Sequence, residues 1–366
     1  MDILGNYLIP FLIVLTVLVF VHEFGHYWVA RRVGVRVETF SIGFGPEIVG
    51  ITDRAGTRWK FSAVPLGGYV KMFGDANASS QPDAEREFTA DERKVAFPFK
   101  RLHQRAAVVA AGPIANFVFA VVALGAVFAL HGQPYTPAVV GEVQEGSAAA
   151  QAGVQAGDRF VAIDGTEIER FEDVQRIVRL NPDDQLRIVV QREGERVPLQ
   201  VTPETRTVED RFGNTHTIGL LGVTGSEVAY KRYDPASAVW EAGQQTVRIT
   251  GATLQAVGQI IVGERSADQL GGPVKIAQMS GEVADTGLTN LVWFMAVLSI
   301  NLGLVNLFPI PMLDGGHLLF YAIEAVRGRP LGERAQEYGF RIGLALVLTL
   351  LVFVTWNDLV QLTSFG

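Results

Sequence analysis

Four runs without a charged side chain constrain this chain more than any other feature. They cover residues 3–21, continuing past His22 and Glu23 to 30, then 106–132, 286–313 and 342–357, the last extendable past Asp358. A helix needs about 20 mostly apolar residues to cross the bilayer core, where its backbone must satisfy every N–H and C=O internally. The expected fold class is therefore a polytopic α-helical membrane protein with about four transmembrane helices. With 48% hydrophobic residues over 366 positions, a disordered chain is excluded. Asp2, with no basic residue ahead of the first run, departs from the n-region of a secretory signal, so that run is expected to stay as a span.

Charge at the flanks orients the spans. Arg31 and Arg32 follow the first run directly, so the positive-inside rule places the N-terminus outside and residues 31–105 in the cytoplasm. That loop carries 13 Lys and Arg against 9 Asp and Glu, whereas residues 132–290 carry 14 against 22, which suits the opposite side. The loop 324–341 returns inside with four Arg. A net charge of −7 without basic clustering argues against a nucleic-acid partner.

Cysteine is absent, so any metal site must draw on His, Asp or Glu. HEFGH at 22–26 sets His22 and His26 at i and i+4 on one helical face, the spacing that lets two imidazoles hold one metal. Glu23 beside them is a candidate general base. Composition alone would generate this pattern only about 0.006 times in such a chain. Two His and a Glu inside an apolar span are costly unless a metal, a water-filled cavity or a buried partner compensates them. A hydrolytic zinc site uses three protein ligands and leaves one position for water. For the third donor, Asp314 in NLFPIPMLDGGH is the best-placed acid, with His317 and Glu324 as competitors. Pro309 and Pro311 break the backbone just before it, leaving carbonyls free for substrate or cavity water. Arg31 lies nine residues past His22, about 13 Å along a helix, which sets the metal within the bilayer but nearer its cytoplasmic face.

Two stretches read as β. Residues 35–72 carry Val35, Val37 and Phe40, alternating polarity over 58–63, and glycines at 43, 45, 67 and 68 that let backbone approach backbone. From 136 to 203, strands are expected near 138–143, 159–163, 186–191 and 196–202, a helix near 171–180, and turns at Asp164-Gly165 and Glu193-Gly194. Its GEVQEGSAAAQAGVQAGDRFVAIDG resembles the core of a bacterial-protease PDZ domain. Such a domain captures an extended peptide or free C-terminus as an added strand; the alternative is a spacer or steric filter. Between 234 and 291 apolar residues recur at helical spacing, but Glu241, Arg248 and Glu264 interrupt them, so an amphipathic helix fits better than a fifth span.

The expected divisions are 1–30, the first transmembrane helix with HExxH; 31–105, a membrane-associated cytoplasmic β region; 106–132, the second helix; and 136–204, one mostly β PDZ domain outside the cytoplasm. There follow 205–285, an extracytoplasmic amphipathic helical region; 286–322, the third transmembrane segment with its LDG motif; and 342–362, the fourth helix.

HExxH in the first span, LDG in a later one and a PDZ-like module between them resemble the site-2 intramembrane zinc metalloproteases, of the bacterial regulator of sigma-E protease type. The likeness covers nearly the whole chain, through HEFGH, SIGFGP at 41–46, VPLGGYVKM at 64–72, AAGPIANF at 110–117, LGGPV at 270–274 and NLFPIPMLDGGH at 306–317. One departure is the single PDZ module, where the best-known members carry two in tandem. The resemblance implies that His22, His26 and Asp314 ligate Zn2+, and that Glu23 takes a proton from water at the metal and passes it to the leaving amine. It implies further that Asn306 positions substrate, and that the region holding Gly43, Gly45, Gly67 and Gly68 dips into the membrane and offers an edge strand. The implied protein is a metalloendopeptidase of the bacterial inner membrane. Its substrates would be single-span membrane proteins, such as an anti-sigma factor or signal-peptide remnants, cut within the lipid bilayer after a first trimming.

Other polar residues receive a plainer reading. His103, His131 and His216 lack ligand spacing and read as solvated or interfacial. Asn116 reads as a helix–helix contact, and 83–92 as a solvated cytoplasmic segment. A noncatalytic scaffold would be expected to have lost Glu23 or a ligand, and a peptidase of soluble peptides to carry HExxH in an aqueous domain.

Overall fold

The computed structural model describes residues 4–75, 87–209, 215–267 and 271–364. Among the described residues four helices are long and apolar enough to cross a membrane: Gly5–Arg32, Leu102–Leu130, Leu288–Asn306 and Arg334–Gln361. The chain divides into two compact units, one of Met1–Val127, Pro235–Gly258 and Ala267–Gly366, the other of Phe128–Asp234 and Gln259–Ser266.

In the first unit α1 (Ile9–Arg32) leads into two long antiparallel strands, β1 (Val37–Thr52) and β2 (Arg58–Met72). Phe40 pairs with both Trp59 and Val70, and Ile42 with both Phe61 and Gly68, while Ile51 also pairs with Trp59. Each strand thus bends back, and the two supply four segments in the order 47–52, 58–62, 37–42, 68–72. The bends need backbone at positive φ, which glycine adopts without steric cost: Gly43 at +88°, Gly45 at +85° and Gly67 at +104°. α2 (Ala90–Val95) opens with a capping box between Thr89 and Glu92. It ends the acidic stretch 83–92, of which 83–86 lie outside the described residues. α3 (Leu102–Leu130) follows, with Pro113 inside it. Phe40, Ile42, Val70 and Met72 of the sheet share one core with Ala30 of α1 and Val108 of α3.

The second unit holds β3 (Gln133–Tyr135), β4 (Val140–Val143), α4 (Ala148–Gln151), β5 (Arg159–Ile163), β6 (Thr166–Glu167) and α5 (Phe171–Leu180). Then come β7 (Leu186–Arg192), β8 (Glu195–Val201), β9 (Glu204–Glu209), β10 (Thr215–Leu220), β11 (Val223–Gly225) and β12 (Ala229–Lys231). Its main sheet runs β6-β5-β7-β8, with β4–β11, β9–β10 and β3–β12 as further pairs. The Asp-Gly and Glu-Gly turns close β5–β6 and β7–β8 with both residues of each at positive φ, as a type I′ turn requires. α5 turns Phe171, Val174 and Val178 onto Phe160, Ile163, Ile188 and Val190. The start of the region 205–285, assigned above to helix, holds instead most of β9 and all of β10, β11 and β12. Thr205, Thr207, Thr217 and Ile218 are β-branched and suit a pleated surface better than a helix.

The remaining helices return to the first unit: α6 (Pro235–Ile261), α7 (Pro273–Asp285), α8 (Leu288–Asn306), α9 (Asp314–Arg327) and α10 (Glu333–Ser364). α6 buries Ala238, Ala242 and Thr246, one per turn, and Thr253 Oγ1 donates to Asn301 Oδ1 of α8 at 3.1 Å. The segment expected as one span over 286–322 is two helices, because the prolines halt α8 before α9 begins. α10 starts at Glu333 rather than at 342. Its buried Asp358 accepts the N–H groups of Gly272 and Lys275, both at 3.0 Å, satisfying donors that the start of α7 leaves unpaired.

One ion pair ties the second unit together. Arg192 Nε and Nη2 donate to Asp158 Oδ1 and Oδ2 at 2.8 and 2.7 Å, and Gln155 N–H adds a third bond at 2.9 Å. Burial pushes the Asp158 carboxyl up, but the Arg192 bonds and the Gln155 N–H outweigh it and hold it below its ordinary value. Because the pKa is lower folded than unfolded, this stability is complete above the usual carboxylate range and is lost as pH falls through the folded value. Asp158→Asn is expected to cost about 2 kcal/mol at neutral pH, the gap from wild type closing in acid. Hydrogen exchange at β5 and β7 amides of the full chain, measured across pH, checks this.

Candidate metal centre

α1 carries His22 and His26 one turn apart, with their Nε2 atoms 3.3 Å from each other. Asp314 is the first residue of α9, and its Oδ2 lies 3.3 Å from His22 Nε2 and 3.5 Å from His26 Nε2. Tetrahedral zinc bonds of about 2.0–2.1 Å set neighbouring donors about 3.3–3.4 Å apart, so the three separations match three corners of that polyhedron. Asp314 Oδ2 is buried without a hydrogen-bond partner. Leaving a carboxylate oxygen unpaired in such a place is costly, and a divalent cation among the three atoms removes that cost. Among the described residues these three form the group able to hold a metal ion.

α3 supports this arrangement from behind. His26 Nδ1–H donates to Val108 O at 2.9 Å, which fixes the ring's lone pair on Nε2. A Cβ on Gly112 would collide with His26 Nε2, and one on Gly25 with Ala111 O, so the two helices meet where both lack a side chain. One turn further along α3, the carboxamide of the fully buried Asn116 lies against His22, Nδ2 to Nδ1, at 3.1 Å. Its Oδ1 has no hydrogen-bond partner. Ser299 Oγ of α8 donates to Asn116 O at 3.0 Å. The side chain expected as a plain helix–helix contact therefore touches one of the two histidines.

Asp314 reaches the histidines because the chain leaves helix over 307–313. Pro309 cannot donate a backbone hydrogen bond, and Met312 sits at φ +89°, which an L side chain rarely adopts. Helix resumes at Asp314, an acid in the first turn, where the peptide dipoles favour negative charge.

A cavity of about 180 Å³ opens onto the three donors, bordered also by Glu23, Asn306 and His317. Gly68, Tyr69 and Val70 of β2 form another wall. A Cβ on Gly68 would come within 3.0 Å of Glu23 Cγ, so glycine lets the strand approach the acid. Gly43, Gly45 and Gly67 serve the bends of the sheet and are not among the cavity's lining residues. Of the competitors for third donor, Glu324 is held by Arg105 at 2.5 Å, and the His317 ring packs 5.4 Å from that of Phe340. His103 opens α3 and His131 follows it; neither joins the metal-binding group. The His216 side chain lies outside the described residues.

Sequence reading missed the roles of Val108, Gly112 and Asn116 beside the histidines. Their spacing of four marks one face of a helix, and that was the available signal.

The sequence matches Peptidase family M50 over residues 10–350. A candidate zinc metalloprotease of Agrobacterium fabrum (strain C58) is 48% identical over 365 residues, covering 98% of this chain and 97% of that protein. Another from Rhizobium meliloti (strain 1021) is 49% identical over 361 residues, covering 97% and 96%. Protease RseP of Yersinia pestis is 33% identical over 457 aligned positions, covering 97% and 98%. Since this chain has 366 residues, the Yersinia protein holds a stretch that is missing here. The fold and the match define a membrane-type metalloprotease. The chain belongs to peptidase family M50.

Gly112→Ala should test the close approach. Alanine normally favours a helix over glycine by about 1 kcal/mol, yet here its methyl displaces the His26 ring. The expected result is at least a tenfold loss of metal affinity with helix content unchanged, read by chelator competition and circular dichroism.

Proposed function

We propose that this metalloprotease is a zinc endopeptidase that cuts single-span membrane proteins within the bilayer. The observation that carries the reading is that His22, Glu23 and His26 sit within a helix long and apolar enough to span a membrane, and border the same cavity as Asp314. His22, His26 and Asp314 would hold the zinc. Bound there, zinc supplies Lewis acidity that polarises a peptide carbonyl and makes water easier to deprotonate near neutral pH.

This chain's own residues supply the rest. Glu23, on the cavity wall, accepts the proton of the attacking water and returns it to the leaving amine. A transmembrane substrate hides its carbonyls in helical hydrogen bonds, so it must unwind before attack. Segment 68–72 pairs on one side with 37–42, and its cavity-facing edge holds the opened strand by backbone hydrogen bonds. Asn306, at the end of α8, positions that strand. The outer part of the sheet exposes Ile48 and Ile51 to 71% and 70%, apolar surface suited to lipid rather than water.

The second unit is read as a PDZ domain facing out of the cytoplasm. It has a hollow of about 770 Å³ between α5 and the turn from β10 to β11, room for a peptide segment or for a filter by size. The shorter chain relative to the Yersinia protein supports one such domain rather than two. The charge pattern favours an inner-membrane protein with the metal toward the cytoplasmic side, acting on an anti-sigma factor or on signal-peptide remnants.

Wild type and Glu23→Gln, each in liposomes with a model single-span substrate, provide the test. Cleavage by wild type alone is expected, with zinc near one per chain in both proteins, since the variant loses the base and keeps the ligands. Wild-type turnover by Glu23→Gln would overturn the role of Glu23, and cleavage confined to soluble peptides would overturn the intramembrane reading. Asp314→Asn is expected to lower zinc content together with activity, measured by metal analysis.

A further inference from the structure

The two histidines receive unequal support in the geometry, and the difference points to a task for Asn116. A backbone carbonyl can only accept, so Val108 O leaves the His26 proton on Nδ1 and its lone pair on Nε2, aimed at Asp314 Oδ2. His22 has no carbonyl at its Nδ1; it has the Asn116 carboxamide. An amide nitrogen facing Nδ1 would donate to it, keep the His22 proton on Nε2 and point an N–H among the donor atoms. That arrangement cannot ligate a metal, and it also leaves Asn116 Oδ1 buried and unpaired. A half-turn of the carboxamide exchanges oxygen for nitrogen at nearly identical shape. Oδ1 then accepts Nδ1–H, the amide nitrogen takes the place the oxygen leaves, and the Nε2 lone pair faces Asp314.

We propose that Asn116 is a positioning residue for the metal site: its Oδ1 accepts the Nδ1–H of His22 and so fixes the tautomer that binds zinc through Nε2. This inference rests on the reading of His22 as a ligand. Val108 and Asn116 then act as a pair, two turns apart on α3, each orienting one histidine from behind, with Gly112 between them making room for the rings. The backbone of Asn116 is itself fixed by Ser299, so the acceptor is held by two neighbouring helices. Partners of this kind change metal affinity by about 10- to 100-fold when removed.

The test compares the zinc affinity of the full chain in detergent by chelator competition, for wild type, Asn116→Asp, Asn116→Leu and His22→Ala. Tryptic resistance and helix content establish that each is folded. A carboxylate still accepts from Nδ1–H, whereas leucine has nearly the same size and cannot. The expected order is Asn116→Asp within about threefold of wild type and Asn116→Leu weaker by about 10- to 100-fold. A residue that merely packs two helices would give the reverse, because a buried leucine is tolerated better than a buried carboxylate. Zinc binding by Asn116→Leu equal to wild type, or an Asn116→Asp loss as deep as that of leucine, would overturn the proposal. If either result accompanies loss of zinc by His22→Ala, the ligand reading survives alone; zinc retained by His22→Ala overturns both. Should Asn116→Leu fail to fold, Asn116→Ala takes its place with the same expected loss.

Discussion

The candidate metal centre depends on the contact between α1 and α3 at Gly25 and Gly112. Packed helices usually keep their axes 8–10 Å apart, with side chains filling the gap; small residues in membrane helices let backbones come closer. Here the missing side chains do more than improve packing. A methyl at 112 would occupy space taken by the His26 ring, and one at 25 would strike Ala111 O. With the helices held apart, His26 Nδ1 would lose Val108 O and the ring would be free to turn. A metal site demands defined lone-pair directions, so a close helix contact becomes a chemical requirement.

Asp314 solves a different problem. A third donor on α8 would have to project sideways from a continuous helix, but the chain instead ends α8, passes through two prolines and a positive-φ Met312, and restarts with the acid in a helical first turn. The restart is compact: a Cβ at Gly315 would meet Leu307 O and Phe308 O, and one at Gly316 would meet Ile310 O. Strain at Met312 is of the size that surrounding structure must over-determine, about 1–3 kcal/mol. The close contacts of the two glycines provide that constraint.

How much of this was legible in the sequence follows from the range of the signals. His22 and His26 announce themselves through local spacing, and an acid closing an uncharged run singles out Asp314, which the structure brings to within 3.5 Å of both rings. The apolar runs mark the four long helices for the same reason, since bilayer thickness sets a length that can be counted. The doubled-back sheet was invisible because its register depends on which segment meets which, and period-two alternation is the same in either pairing. The strands β9 to β12 were missed because they are short and mostly polar. Asn116 was read as a contact between helices because nothing local ties it to a histidine 94 positions earlier. Only the placement of α3 against α1 joins them.

α3 also registers the other parts of the site. Ser299 donates to Asn116 O, a Cβ on Gly303 would come within 3.0 Å of Pro113 O, and Arg105 binds Glu324 on α9. The elements carrying His22, His26, Asn306 and Asp314 therefore each share a contact with one central helix. The bent sheet is tied in differently, through the apolar core at Phe40, Val70 and Met72, while its 47–52 segment exposes apolar residues instead of packing them. At the cavity the strand meets α1 closely, since a Cβ on Gly68 would come within 3.0 Å of Glu23 Cγ. Directional bonds thus hold the candidate donor atoms, while apolar packing and close backbone contact hold the strand beside them.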